Sequence, residues 1–118
     1  FKRINDTHGH LFGDQVIKET ADFIKKNVRT HDIVGRYGGE EFSVILVNTE
    51  KSDCLITVER IRQNIQDHHF KYSEIDERIT ISIGMSEFPT DSGDSRGMIR
   101  FADEKMYEVK KAGGNKIK

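Results

Sequence analysis

The residues that most constrain what this chain can fold into are Gly38-Gly39, which stand between two strand-like runs at 32–37 and 41–47. A glycine pair supplies the positive φ angles of a tight antiparallel hairpin, so the two runs are expected to pair. The second is nearly all apolar, Phe42-Ser43-Val44-Ile45-Leu46-Val47, as for a central strand covered on both faces. A third run alternates Ile79, Ile81, Ile83 and Met85 with Thr80, Ser82, Gly84 and Ser86, as for a strand with one apolar face. Three helical periods surround these runs. Residues 14–28 carry Ile17, Ala21, Ile24 and Val28 on one stripe. Residues 52–66 carry Cys54, Val58, Ile61 and Ile65, and residues 96–112 carry Ile99, Ala102, Met106 and Val109. Asp94 or Ser95 is placed to cap the last helix, and Gly113 to end it behind Lys110 and Lys111. The order helix, hairpin, helix, strand, helix predicts an α/β sandwich with helices packed on a mostly antiparallel sheet.

Length and charge narrow the function. The 118 residues suit one domain spanning 1–118. Lys and Arg total 19 against 20 Asp and Glu, a net charge of -1, so neither nucleic acid nor an anionic membrane surface is an expected partner. A lone cysteine, Cys54, excludes an intrachain disulfide and a cysteine zinc cage, and its stripe position reads as core. No apolar run approaches the roughly 20 residues of a membrane span, and the start of the chain does not read as a signal peptide, so a cytoplasmic setting is expected. The five histidines are scattered without metal-ligand spacing, and His10 reads as structural.

The chemistry is expected at Arg36-Tyr37-Gly38-Gly39-Glu40-Glu41-Phe42. Two glycines leave room for a phosphate to approach the backbone N–H groups. Glu40 and Glu41 follow at once, and because adjacent strand residues face opposite ways they are not equivalent. Their oxygens suit Mg²⁺ or Mn²⁺ and not zinc. Taken alone, the four-residue string more commonly means an ordinary hairpin with a solvated acidic start. Asp14, after Gly13, is open to two meanings: a helix cap or a ligand-reading acid.

The flanks resolve the string. Phe1-Lys2-Arg3-Ile4-Asn5-Asp6-Thr7-His8-Gly9-His10-Leu11-Phe12-Gly13-Asp14, the glycine turn with its two glutamates and Phe42, and the closing Ala102-Asp103-Glu104-Lys105-Met106-Tyr107 with Lys110-Lys111-Ala112-Gly113-Gly114-Asn115 together resemble the GGDEF family of diguanylate cyclases. The resemblance implies the βααββαβ sandwich shared with nucleotidyl cyclases and polymerase palm domains, with the first strand missing from this chain. It implies condensation of two GTP into cyclic di-GMP, with loss of two pyrophosphates, by a face-to-face homodimer using two Mg²⁺ or Mn²⁺ per site. Glu40 and Glu41 are then metal ligands, and Glu41 is the alternative activator of the 3′-hydroxyl. Asn5 and Asp14 bind guanine, Lys110 contacts the terminal phosphates, and Phe1, Lys2, Gly38 and Gly39 border the phosphate site. Two departures stand out: the family's upstream metal aspartate precedes Phe1, and Gly114 occupies the place of a phosphate-binding arginine.

Arg29-Thr30-His31-Asp32 resembles the family's Arg-x-x-Asp product-inhibition site, with Arg60 as an additional arginine. Arginine can hold a phosphate and pair bidentately with guanine. A surface charge pair at a helix exit is the commoner meaning of the bare pattern. Two alternatives to a cyclase accompany the resemblance. One is an impaired domain that binds GTP or cyclic di-GMP and signals by dimerising. The other is a nucleotidyl cyclase of different base choice, which would need other base-reading residues than Asn5 and Asp14.

Overall fold

The computed structural model describes residues 2–118 and, for Lys2, the backbone alone. Its elements are α1 (Lys2–His8), α2 (His10–Asn27), β1 (Ile33–Arg36), β2 (Phe42–Ile45), α3 (Lys51–Asp67), β3 (Phe70–Tyr72), β4 (Ile75–Glu77) and α4 (Ser95–Lys111). Helices accompany antiparallel strands, the α/β class expected from the element order. The chain divides into two compact units: the described residues up to Asn48 with Asp67–Ile79, and Thr49–Gln66 with Thr80–Lys118.

In the first unit the core is Ile4, Phe12, Val16, Ile24 and Phe70, with Thr20 among them. The buried stripe of α2 is therefore Phe12, Val16, Thr20 and Ile24, rotated from the expected Ile17-Ala21-Ile24-Val28 stripe. A threonine hid it. The Thr20 hydroxyl donates to the Val16 carbonyl at 2.8 Å, so a polar residue is buried without an unmet hydrogen bond. The helix also begins four residues before the expected Asp14, with Gly13 inside it. Glycine costs a helix interior only about 1 kcal/mol relative to alanine, and a buried position overrides that.

β1 and β2 pair antiparallel from Ile33↔Ile45 to Arg36↔Phe42. Two expectations about this hairpin fail. Gly38 and Gly39 do not adopt positive φ. The strands stop at Arg36 and Phe42, and a five-residue connection reverses the chain without the left-handed residues that a two-residue turn demands. Nor is the second strand covered on both faces: Val44 is 38% and Ile45 58% exposed. Apolarity alone does not say whether a covering layer is present. A second hairpin, β3 with β4, runs from Phe70↔Glu77 to Tyr72↔Ile75 and was not expected. Its turn lacks glycine and instead puts Ser73 in the left-handed region at φ 56°.

In the second unit Ile61 and Ile65 of α3 and Val109 of α4 are buried. Ile99, expected on the buried stripe of α4, is 51% exposed. The cap is as expected: Asp94 accepts from the Gly97 N–H at 2.6 Å. At the other end Gly113, Gly114 and Asn115 are all left-handed, with φ of 109°, 76° and 57°. The expected strand over 79–85 forms only a parallel bridge, Ile83↔Ile117. Alternation fixes which face a residue takes, whereas a ladder also needs a neighbour.

Gly84 in that segment sits against α4. A Cβ there would lie 1.8 Å from the Ala102 carbonyl oxygen and 2.5 Å from the Met106 nitrogen. Both are helix backbone and cannot rotate away. Gly84→Ala is expected to destabilise the protein by at least about 1–3 kcal/mol, read as a lowered urea midpoint; an unchanged midpoint would refute this packing.

Candidate functional site

Within the first unit, α1, the start of α2 and the β1–β2 connection border an open cleft of about 600 Å³. Asn5, Asp14, Gly38, Gly39, Glu40 and Glu41 all line it. Six of the expected site residues, separated by up to 36 positions in sequence (Asn5 to Glu41), thus meet at one cleft. Asp6, His10, Ile17 and Arg36 complete the lining. Arg36 belongs to the stretch in which the sequence places the chemistry, whereas Asp6, His10 and Ile17 carry no expected ligand-facing role. The available signal was spacing: His10, Asp14 and Ile17 recur at steps of four and three, one face of α2.

Each side chain has a local cause for its place. Asn5 lies in α1, whose end is closed by the Gly9 N–H donating to the Asn5 carbonyl at 2.8 Å. Gly9 then turns the chain at φ 87°, a conformation that favours glycine, and α2 starts. Asp14 lies one turn inside α2, and the N-cap is Gly9, so Asp14 is not the helix cap. Its carboxylate is exposed to the cavity. Asn5 Oδ1 is buried and has no hydrogen-bond partner among the described residues. Such an acceptor is costly unless something donates to it.

Arg36 shapes the glycine turn. Its Nε donates to the carbonyls of Gly38 at 3.2 Å and Gly39 at 3.1 Å, and its Nη2 also donates to Gly39. The Tyr37 N–H donates to the Glu41 carbonyl at 2.8 Å and closes the loop. The carbonyl side of the turn is thereby engaged from within. A Cβ at Gly39 would meet nothing within 4 Å, and one at Gly38 would meet only Glu41, at 3.9 Å or more. Neither the packing nor the φ of Gly39 requires glycine. Glu40 is exposed and Glu41 half-buried, but both precede the strand that starts at Phe42, so the alternation of strand faces expected to distinguish them does not apply. No group of three or more His, Cys, Asp or Glu side chains that could hold a metal ion occurs among the described residues. Two carboxylates in a cleft nevertheless fit a hard cation that takes its remaining oxygens from a ligand and water.

The Arg-x-x-Asp pair sits at the opposite end of the same hairpin. Asp32, its side chain 1% exposed, accepts from the Arg29 N–H at 2.8 Å, the Arg29 guanidinium at 3.2 Å and the Val47 N–H at 3.0 Å. Arg29 also donates to the Val47 carbonyl at 2.6 Å. One carboxylate therefore joins the end of α2 to both strands of the hairpin. In the second unit, Lys110 is exposed on the last turn of α4 and Arg60 is exposed on α3. Asn115 accepts from Arg62 and donates to Gln66, at 2.7 and 3.0 Å. Phe1 and the Lys2 side chain, both expected at the phosphate site, lie outside the described residues.

Residues 1–116 match the family described as "Diguanylate cyclase, GGDEF domain". The chain belongs to the GGDEF family. It is 41% identical over 117 residues to Diguanylate cyclase A of Treponema denticola, covering 99% of this chain and 32% of that protein. The chain thus spans about a third of the length of that curated relative. The GGDEF domain of YfiN (TpbB) from Pseudomonas aeruginosa superposes with a TM-score of 0.93 at 29% identity, over 99% of this chain and 73% of that one. The GGDEF domain of DgcB from Caulobacter crescentus, solved in complex with c-di-GMP, gives a TM-score of 0.88 at 34% identity, over 98% and 69%. No helix among the described residues is long and apolar enough to cross a membrane.

The Arg29 guanidinium, followed by the N–H groups of Val47 and Arg29, holds the Asp32 carboxyl down at about 2, against an ordinary 3.8. A depressed carboxylate stabilises the fold above the unfolded value and loses that contribution as pH falls through the folded one. Asp32→Asn is therefore expected to be less stable than wild type at pH 6, with the gap closing as pH falls from about 4 to about 2. Urea midpoints of both proteins across that range test this; a gap that does not change with pH would refute it.

Proposed function

We propose that this chain is the catalytic domain of a diguanylate cyclase, a single domain over 1–118 that works as a homodimer in the cytoplasm, where its substrate is made. Two GTP molecules, one per subunit, are joined into cyclic di-GMP. Each 3′-hydroxyl attacks the partner's α-phosphate, so two phosphodiester bonds form and two pyrophosphates leave. The observation that carries this reading is the cavity where Asn5 and Asp14 meet Glu40 and Glu41, with the buried Asn5 oxygen lacking a donor.

Guanine supplies the donors that such a pocket needs. Its N1–H and N2–H₂ can reach the Asp14 carboxylate and the Asn5 carbonyl oxygen. Adenine has no equivalent pair and would leave these acceptors unmet, which is how a site built on hydrogen bonds rejects the wrong base. Gly38 and Gly39 let the triphosphate approach the turn, and the open space at Gly39 suits an approaching ligand. Glu40 and Glu41 would hold Mg²⁺ or Mn²⁺, two ions per site. When bound, the metal neutralises triphosphate charge and eases ionisation of the 3′-hydroxyl. Lys110, with Phe1 and Lys2, would contact the phosphates. Arg29, Asp32 and Arg60 would bind product; because Arg29 already pairs with Asp32 and Val47, binding there exchanges existing hydrogen bonds for new ones.

A second reading, a domain that binds GTP or cyclic di-GMP without turnover, is favoured by Gly114. Its φ of 76° and the 3.2 Å approach of Ser82 Oγ to a built Cβ disfavour any arginine arm at that position.

Incubation of the full-length protein with GTP and Mg²⁺ or Mn²⁺ separates the two readings. The first expects cyclic di-GMP and pyrophosphate, and the second expects binding without them. Glu40→Ala should remain folded and lose on the order of 100-fold or more in turnover; unchanged turnover would remove its metal role. Added cyclic di-GMP should slow the wild type and leave Arg29→Ala unaffected. Equal inhibition of both, or of neither, would rule out the regulatory site.

A further inference from the structure

The same cavity depends on a contact made outside it. We propose that Glu77 is a positioning residue for base recognition: by holding Arg3 and His8 it fixes α1, and with it Asn5, at the edge of the nucleotide cavity. The inference rests on the nucleotide reading above.

Glu77 Oε1 lies 2.8 Å from His8 Nε2 and 3.5 Å from Arg3 Nη1. The His8 and Glu77 side chains are 21% and 24% exposed, so their pairing is partly shielded from water. The two contacts bracket Asn5 in sequence. His8 follows it by three residues, about 4.5 Å along the helix axis, on nearly the same face. At the far end of the contact Glu77 pairs across the β3–β4 hairpin with Phe70, which is fully buried; at the near end the His8 ring meets core Phe12 edge-on at 5.3 Å.

Helix α1 needs such an anchor. It has seven residues, well below the length at which a helix is stable alone. Gly9 links it to α2 at φ 87°, and a Cβ there would meet nothing within 4 Å, so no side chain packs at the corner itself. Ile4, 2% exposed, and the His8 ring against Phe12 tie α1 to the core. The Glu77 contacts add a polar tie to the β3–β4 hairpin, through Arg3 and His8 on either side of Asn5. The orientation of α1 matters because Asn5 Oδ1 must meet its donor along a restricted direction to form a good hydrogen bond. Glu77 itself does not line the cavity.

The test is a double-mutant cycle on the full-length protein. A non-hydrolysable GTP analogue is titrated with Mg²⁺ by calorimetry, and initial rates with GTP are measured, for wild type, Glu77→Ala, Asn5→Ala and the double variant. Glu77→Ala is expected to weaken analogue binding and raise KM by roughly 3- to 30-fold with kcat little changed. In the Asn5→Ala background the same change should have no further effect, because Glu77 acts through Asn5. Glu77→Gln, which keeps an oxygen acceptor for His8, should restore most of the affinity. If Glu77→Ala does not fold, Arg3→Ala with His8→Ala carries the same cycle. Wild-type affinity in Glu77→Ala, or an equal loss in both backgrounds, overturns the inference alone. A wild type that binds no analogue overturns the nucleotide reading and this inference together.

Discussion

A single buried carboxylate holds the part of the molecule on which the site depends. Asp32 receives N–H groups from Arg29 and Val47 and pairs with the Arg29 guanidinium, so it fastens the exit of α2 to the open end of the β1–β2 hairpin. The hairpin has four residues in each strand, and two-stranded ribbons of that length are marginal by themselves. Its far end is held from within by Arg36, which binds the carbonyls of the turn it precedes. Ionic hydrogen bonds thus fix both ends, and the glutamates are presented at a defined place.

The opposite wall of the cavity is built on a different principle. A glycine corner lets two helices follow each other directly, so Asn5 and Asp14, nine residues apart, face one cleft from two helices. Side chains tie the first helix down, with Ile4 in the core and Arg3 and His8 on Glu77. In this member of the GGDEF family the cleft carries an amide and a carboxylate on one wall, two carboxylates on the other, and a glycine turn between them.

Much of this was readable in the sequence, and the failures have particular causes. The three long helices are found within a few residues, since a 3.6-residue period survives local exceptions. The buried stripe of α2 was missed because Thr20 looks polar while its hydroxyl is satisfied by Val16. The β3–β4 hairpin was missed because Ser73 takes the left-handed place that glycine or asparagine usually marks. Gly38 and Gly39 do mark the turn, but not through positive φ: their φ angles are ordinary, and open space beside them is what a larger residue would fill.

The sequence by itself determined the helical segments, the hairpin, the cap at Asp94, the left-handed Gly113 and the residue types of the site, because each follows from chemistry within a few positions along the chain. Only the tertiary structure decided that Asn5, Asp14, Glu40 and Glu41 share one cavity, that Asp14 is not a cap, and that Glu77 reaches back to α1. These facts depend on contacts between distant segments, whose directions are set by packing and by one glycine corner. No local pattern of residues encodes such a direction.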